Sequence, residues 1–176
     1  MIIQGTADTH KYYLISTIKK APSSQETSGH SPLMLLALIG VAKFNIHATT
    51  INVGLQIAIK DMKPLHGQAL SMFQEEMKYI QYIFIDKMRF IGSKLFVKIE
   101  SCLCACFPKK NNYSFGNWSI IFVGDLGQIP LVMYKPIYVG VTLGKCLWTN
   151  FTTIIILETF FHQRGTNSAQ PCSDNY

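Results

Sequence analysis

Charge is scarce in this chain of 176 residues: only 15% are Asp, Glu, Lys or Arg, while 48% are hydrophobic. That balance excludes a charge-expanded, disordered polymer and favours a folded domain with a real core. Long apolar runs are missing too. The longest, residues 33–42, falls short of the roughly 18 residues that a membrane span needs, and it fits a buried strand with the turn after it. The first residues, MIIQGTADTHK, have neither a charged start nor a long apolar core, so no signal peptide is expected. No internal repeat or domain linker is visible. Paired CxxC motifs are also absent. Of the five cysteines, three stand as Cys102-Leu-Cys104-Ala-Cys106, alternate positions that point in different directions on a helix. That spacing favours reduced structural thiols over a metal site, and with them a reducing intracellular compartment.

What charge there is leans one way. The net charge of +6 suits an acidic partner such as nucleic acid. Apolar, β-branched runs alternate with helical periodicity. Residues 2–4, 33–38, 82–85, 119–123 and 152–157 read as strands, the first as the tail end of one. Residues 13–20, 67–78 and 93–107 read as helices, the second with Leu70, Phe73 and Met77 on one apolar face. Glu75 and Glu76 fall on its solvated side. Residues 46–59 are mixed and lean towards strand, 108–116 form a basic, Asn-rich loop, and 136–142 are irregular. Strands alternating with helices predict an α/β sandwich with a largely parallel sheet.

In such a sheet, ligands bind beyond the carboxyl ends of the strands. Two strands end in acids there. Residues 82–85 run into Asp86 and Lys87, and residues 119–123 break at Gly124 before Asp125 and Gln128. An acid closing an apolar strand holds Mg²⁺ in phosphate-cleaving sites, and it also serves as a plain turn or cap. Between the first strand and the first helix lies Gly5-Thr-Ala-Asp-Thr-His-Lys11-Tyr12. A lysine at a helix start after a loop is where a phosphate cradle belongs, although two glycines and a hydroxyl of the full pattern are absent.

Taken together, these stretches resemble the first motor domain of Pif-type (petite-integration-frequency) DNA helicases, particularly the helitron-transposon branch. GTADTHKYYLI is similar to the family's Walker A loop, GTAGTGKSYLI, and LALIGVAKFNIHATTIN to LAPTGVAAFNIGGTTIH. IFIDKMRFIG resembles the Walker B segment IIIDEMSFIG. FVGDLGQIPLV resembles VGDLGQLPPV, and LETFFHQRG is close to a segment carrying Phe-Arg-Gln. The resemblance implies a RecA-like P-loop fold with helices on both faces of the sheet, one motor lobe over residues 1–165, and a polar tail over 166–176. A translocating helicase needs two such lobes. The resemblance further implies ATP and Mg²⁺ as cofactors, single-stranded or forked DNA as partner, a nuclear location, and roles in repair, recombination and telomere maintenance.

Carried across residue by residue, the resemblance gives Lys11 the β and γ phosphates, with Gly5 and Thr9 in the loop. It places Tyr12 where a magnesium-binding hydroxyl stands, Asp86 at Mg²⁺, and Gln128 as the γ-phosphate sensor. Gly124 and Asp125 link that sensor to its strand, and Phe44 and Asn45 lie near the DNA path. The departures fall on the chemistry. Asp8 and His10 replace glycines, which resists the loop's backbone angles and sets a carboxylate against phosphate oxygens. Lys87 replaces the glutamate that orients the attacking water, a loss of about 10²–10⁴-fold for such a base. His162 replaces an arginine of a type worth about 10³–10⁵-fold. Weak or absent hydrolysis is the expectation: a decayed helicase domain, a non-catalytic nucleotide- or DNA-binding remnant, or an unstable product.

One pattern joins many departures. Lys87, Asp8, His162, Cys102, Cys104, Leu38, Leu131 and Ile39 each differ from the family pattern by a change that one C-to-T transition produces. That is the spectrum of cytosine deamination, expected in silenced transposon copies, and it accounts for the cysteine cluster without a metal. His10 and Tyr12 do not fit it.

Overall fold

A computed structural model describes residues 1–6, 9, 11–20, 31–38, 48–57, 65–127, 136–137 and 146–158. Its centre is a six-stranded sheet made of β1 (Ile2–Gly5), β2 (Leu33–Ala37), β3 (Thr49–Thr50), β4 (Tyr82–Asp86), β5 (Ser119–Gly124) and β6 (Ile154–Leu157). The spatial order is β3-β2-β4-β5-β1-β6, and every pairing is parallel. Four described helices accompany it: α1 (Lys11–Lys20), α2 (Ile51–Gly54), α3 (Gly67–Met77) and α4 (Ser93–Cys106).

The strands are apolar on both faces because the sheet is covered on both. Successive side chains alternate between two cores. Ile2, Leu36, Ile83, Ile85, Ile120 and Phe122 pack with Ile51 of α2, Phe73 and Met77 of α3, and Phe96, Ile99 and Leu103 of α4. Ile3, Leu35, Ala37, Phe84, Ile121 and Val123 pack on the other face with Ile15 of α1. Lys19 and Lys20 close α1, where cations favour the helix's negative end. The larger core centres on rings. Phe96 lies 5.7 Å from Phe122 and 5.6 Å from Phe115, and Phe122 lies 5.0 Å from Phe151, centroid to centroid. The Trp118 indole N–H donates to the Ile80 carbonyl at 3.0 Å and so ties the start of β5 to the start of β4.

The expected strands and helices fall where periodicity places them, within one or two residues of their bounds. Phe73 and Met77 are buried and Glu75 is exposed, paired with Lys78 at 3.7 Å. Two readings need correction. Residues 46–59 were expected to lean towards strand. Among its described residues, 48–57, only Thr49–Thr50 pairs with β2, and the chain turns at once into α2, whose Ile51 and the following Leu55 are drawn into the core. Residues 108–116 were expected as loop, and 3₁₀ turns form at Pro108–Lys110 and Ser114–Asn117. Pro136 makes a single antiparallel bridge to Gly92.

The cysteines of α4 act as core filler. Cys102 Sγ donates to the Leu55 carbonyl and Cys104 Sγ to Glu100 Oε1, each at 3.1 Å. Burial pushes the Cys102 and Cys104 thiols up to about 11 and Cys106 up to about 12, so all three stay protonated at neutral pH. No helix among the described residues is long and apolar enough to cross a membrane.

The ring cluster sets the stability of the larger core. Phe96→Ala removes a fully buried ring, and the expected cost is about 3–5 kcal/mol. Tyr13→Ala, at a position 74% exposed, should stay within about 0.5 kcal/mol of the parent. Urea unfolding of the two variants checks the contrast.

Candidate functional site

Three central strands end level with one another. Asp86 of β4 pairs with Val123 of β5, Gly124 pairs with Gln4 of β1, and Gly5 follows. The loop after β1, the Asp86-Lys87 step and the Asp125 turn therefore leave the sheet side by side at its carboxyl edge. That is where an open parallel sheet forms its crevice.

The loop after β1 folds tightly on itself. Thr9 is buried, and its hydroxyl donates to the Thr6 carbonyl at 2.9 Å. A side chain on Gly5 would place its Cβ 2.3 Å from Thr9 Oγ1, so only glycine fits there. Lys11 opens α1 and turns its ammonium back into this loop. Its Nζ donates to the Gly5 carbonyl at 2.8 Å, to the Thr6 carbonyl, and to Thr9 Oγ1 at 3.2 Å. The lysine thus stands at the end of β1 beside the start of a ten-residue helix, a setting that favours anions.

Asp86 is 3% exposed, and its Oδ2 has no hydrogen-bond partner. Burial holds its carboxyl above the ordinary range. The Lys87 backbone N–H, the Lys87 and Lys11 charges and the Tyr12 hydroxyl act in the opposite direction. Lys87 leaves the strand in left-handed backbone, φ 62° and ψ 42°, a conformation that costs a non-glycine residue. Its Nζ lies 5.6 Å from the centroid of the Tyr12 ring, within cation–π range. Two departures from the family pattern, Tyr12 and Lys87, therefore meet across the site, and both touch the electrostatics of Asp86.

Asp125 is 8% exposed, and its Oδ1 accepts the Gly127 N–H at 2.8 Å. Its carboxylate shapes the turn after β5. Gly124 lies against Met88, with room for a Cβ only 3.2 Å from Met88 Cγ. The 3₁₀ turn Met88–Phe90 also carries Arg89, whose buried Nε and Nη1 have no hydrogen-bond partner among the described residues. Reading the sequence did not single out Arg89. Its signal was a second cation three residues past the strand's aspartate. Asp8, His10, Phe44, Asn45, Gln128 and His162 lie outside the described residues.

The groups present fit a phosphate better than a resident magnesium. A lysine held at the end of β1 and a helix start both favour an anion. For the metal, Asp86 Oδ2 is one available oxygen. The small hydroxyl that the resemblance implies beside it is instead the phenol of Tyr12, and the Lys87 ammonium lies over the Tyr12 ring and acts on the same carboxylate. That donor set does not fit Mg²⁺.

Asp86 makes a testable statement about pH. A raised pKa means that the folded chain holds the proton more tightly than the unfolded one. Stability therefore falls as pH rises above the ordinary carboxylate value of 3.8. Asp86→Asn should melt at a higher temperature than the parent at pH 7, with the gap closing as pH drops below that value. Thermal melts across pH check this; a gap that is absent or reversed at pH 7 contradicts it.

No curated protein matches the chain. Three solved structures share its fold. It aligns with a Pif1 helicase from Candida albicans at a TM-score of 0.68 and 20% identity, covering 94% of this chain and 37% of that one. A Bacteroides Pif1 helicase in complex with ADP-AlF3 and ssDNA gives a TM-score of 0.67 at 17% identity, covering 94% and 39%. Bacteroides Pif1 bound to ssDNA gives 0.64 at 18%, covering 92% and 38%. The chain thus spans under two-fifths of each of these proteins. The model of the PIF1-like helicase family matches residues 1–175, and the chain belongs to that family.

Proposed function

We propose that this chain is the nucleotide-binding lobe of an ATP-dependent DNA helicase, one that still receives the phosphates of ATP but hydrolyses them weakly or not at all. The observation that carries the reading is Lys11, held by the Gly5 and Thr6 carbonyls at the sheet edge where Asp86 also emerges. Residues 1–165 form the lobe and 166–176 its tail. In this reading the backbone of the loop and the start of α1 orient the triphosphate, and Lys11 exchanges its carbonyl contacts for phosphate oxygens. Gln128 takes the role of γ-phosphate sensor in this reading.

The groups that would drive hydrolysis are changed. Lys87 offers no base to orient water, and His162 gives no permanent charge to a transition state. DNA enters through the basic surface, with Phe44 and Asn45 near its path. The relatives whose structures contain ssDNA support that partner. A nuclear setting, roles in repair, recombination and telomere maintenance, and descent from a transposon copy altered by cytosine deamination belong to the same reading.

Calorimetric titration with ATP should give saturable binding that Lys11→Ala weakens at least about tenfold, or ~1.4 kcal/mol. In the same preparation phosphate release should stay at background with or without single-stranded DNA. Binding unaffected by Lys11→Ala overturns the site, and DNA-stimulated turnover overturns the loss of hydrolysis. Single-stranded DNA should bind independently of nucleotide, with affinity falling steeply as salt rises, since a net charge of +6 favours counterion release. A salt-insensitive affinity, measured by fluorescence anisotropy, contradicts that.

A further inference from the structure

Lys87 is the residue for which the proposed function has no use. It replaces an acid in the family pattern, and its position reverses the local charge. We propose that the pocket binds phosphoanions without a divalent cation, the Lys87 ammonium taking the place such a cation would fill. This rests on the reading of the pocket as a triphosphate site.

Two observations carry it. First, Lys87 is placed. The left-handed turn at its backbone takes the chain out of β4, and its Nζ sits 5.6 Å from the Tyr12 ring centroid. Tyr12 is partly buried against the α1 core, so it is an anchored platform. An ammonium has three donors, and a ring face occupies it from one side only. No hydrogen bond among the described residues engages it.

Second, the chain's own cations already act on the acid. The charges of Lys87 and Lys11 both favour the Asp86 carboxylate, against its burial. A magnesium ion would have to share that carboxylate with two ammoniums, against their repulsion. Phosphate oxygens meet no such conflict.

The test is titration of the full chain with ATP, and separately with inorganic triphosphate, in magnesium and in EDTA at matched ionic strength. The dissociation constants in the two buffers should agree within about threefold. Lys87→Glu should weaken binding in EDTA by about tenfold or more, and magnesium should restore most of the loss. Lys87→Gln should weaken binding in both buffers, which keeps the test decisive if the glutamate variant folds poorly by circular dichroism. Binding by the parent only in magnesium overturns this inference and leaves the proposed function standing. Binding in neither buffer overturns both. Parent-like binding by Lys87→Gln in EDTA removes Lys87 from the site.

Discussion

A carboxylate buried at the end of a central strand is a demanding thing to fold around. Asp86 has apolar strands on both sides in the sheet and almost no contact with water. Burial holds its carboxyl above the ordinary range although cations converge on it, Lys11 from the start of α1 and Lys87 from the next residue. Lys87 in turn lies over the Tyr12 ring. The sheet makes this convergence automatic. Parallel strands in register deliver β1, β4 and β5 to one edge, so groups far apart in sequence arrive together.

In the proposed reading, that cluster keeps the outline of a motor's pocket and loses the motor's chemistry. Binding a triphosphate asks for a lysine and a helix start, and Lys11 at the start of α1 is proposed to supply them. Cleaving it asks for a base and a well-placed cation in the transition state, and the positions proposed for these hold Lys87 and His162. Tyr12 and Lys87 lie within cation–π range of each other beside Asp86.

Much of the fold was legible because its strands are short apolar runs rich in isoleucine and valine, and a sheet covered on both faces leaves no room for polar alternation. Phe73 and Met77 of α3 and Phe96 and Ile99 of α4 follow from helical spacing in the same way. Residues 46–59 were illegible because β-branched residues fit a strand and a buried helical turn alike, and packing of Ile51 and Leu55 made the choice. For the candidate site, Gly5, Lys11 and Asp86 were singled out from their order along the chain, and strand register brings Gly5 and Asp86 to one edge. The Tyr12–Lys87 contact was not legible, since it depends on which strands are neighbours.

The most direct test of the central claim is a crystal structure of the chain grown with ATP in metal-free solution. The triphosphate should lie across the loop between Gly5 and Lys11, with the ammoniums of Lys11 and Lys87 on its oxygens and Tyr12 still beneath Lys87. A triphosphate seated elsewhere, or Lys87 swung out to solvent while the phosphates approach Asp86, would contradict the account.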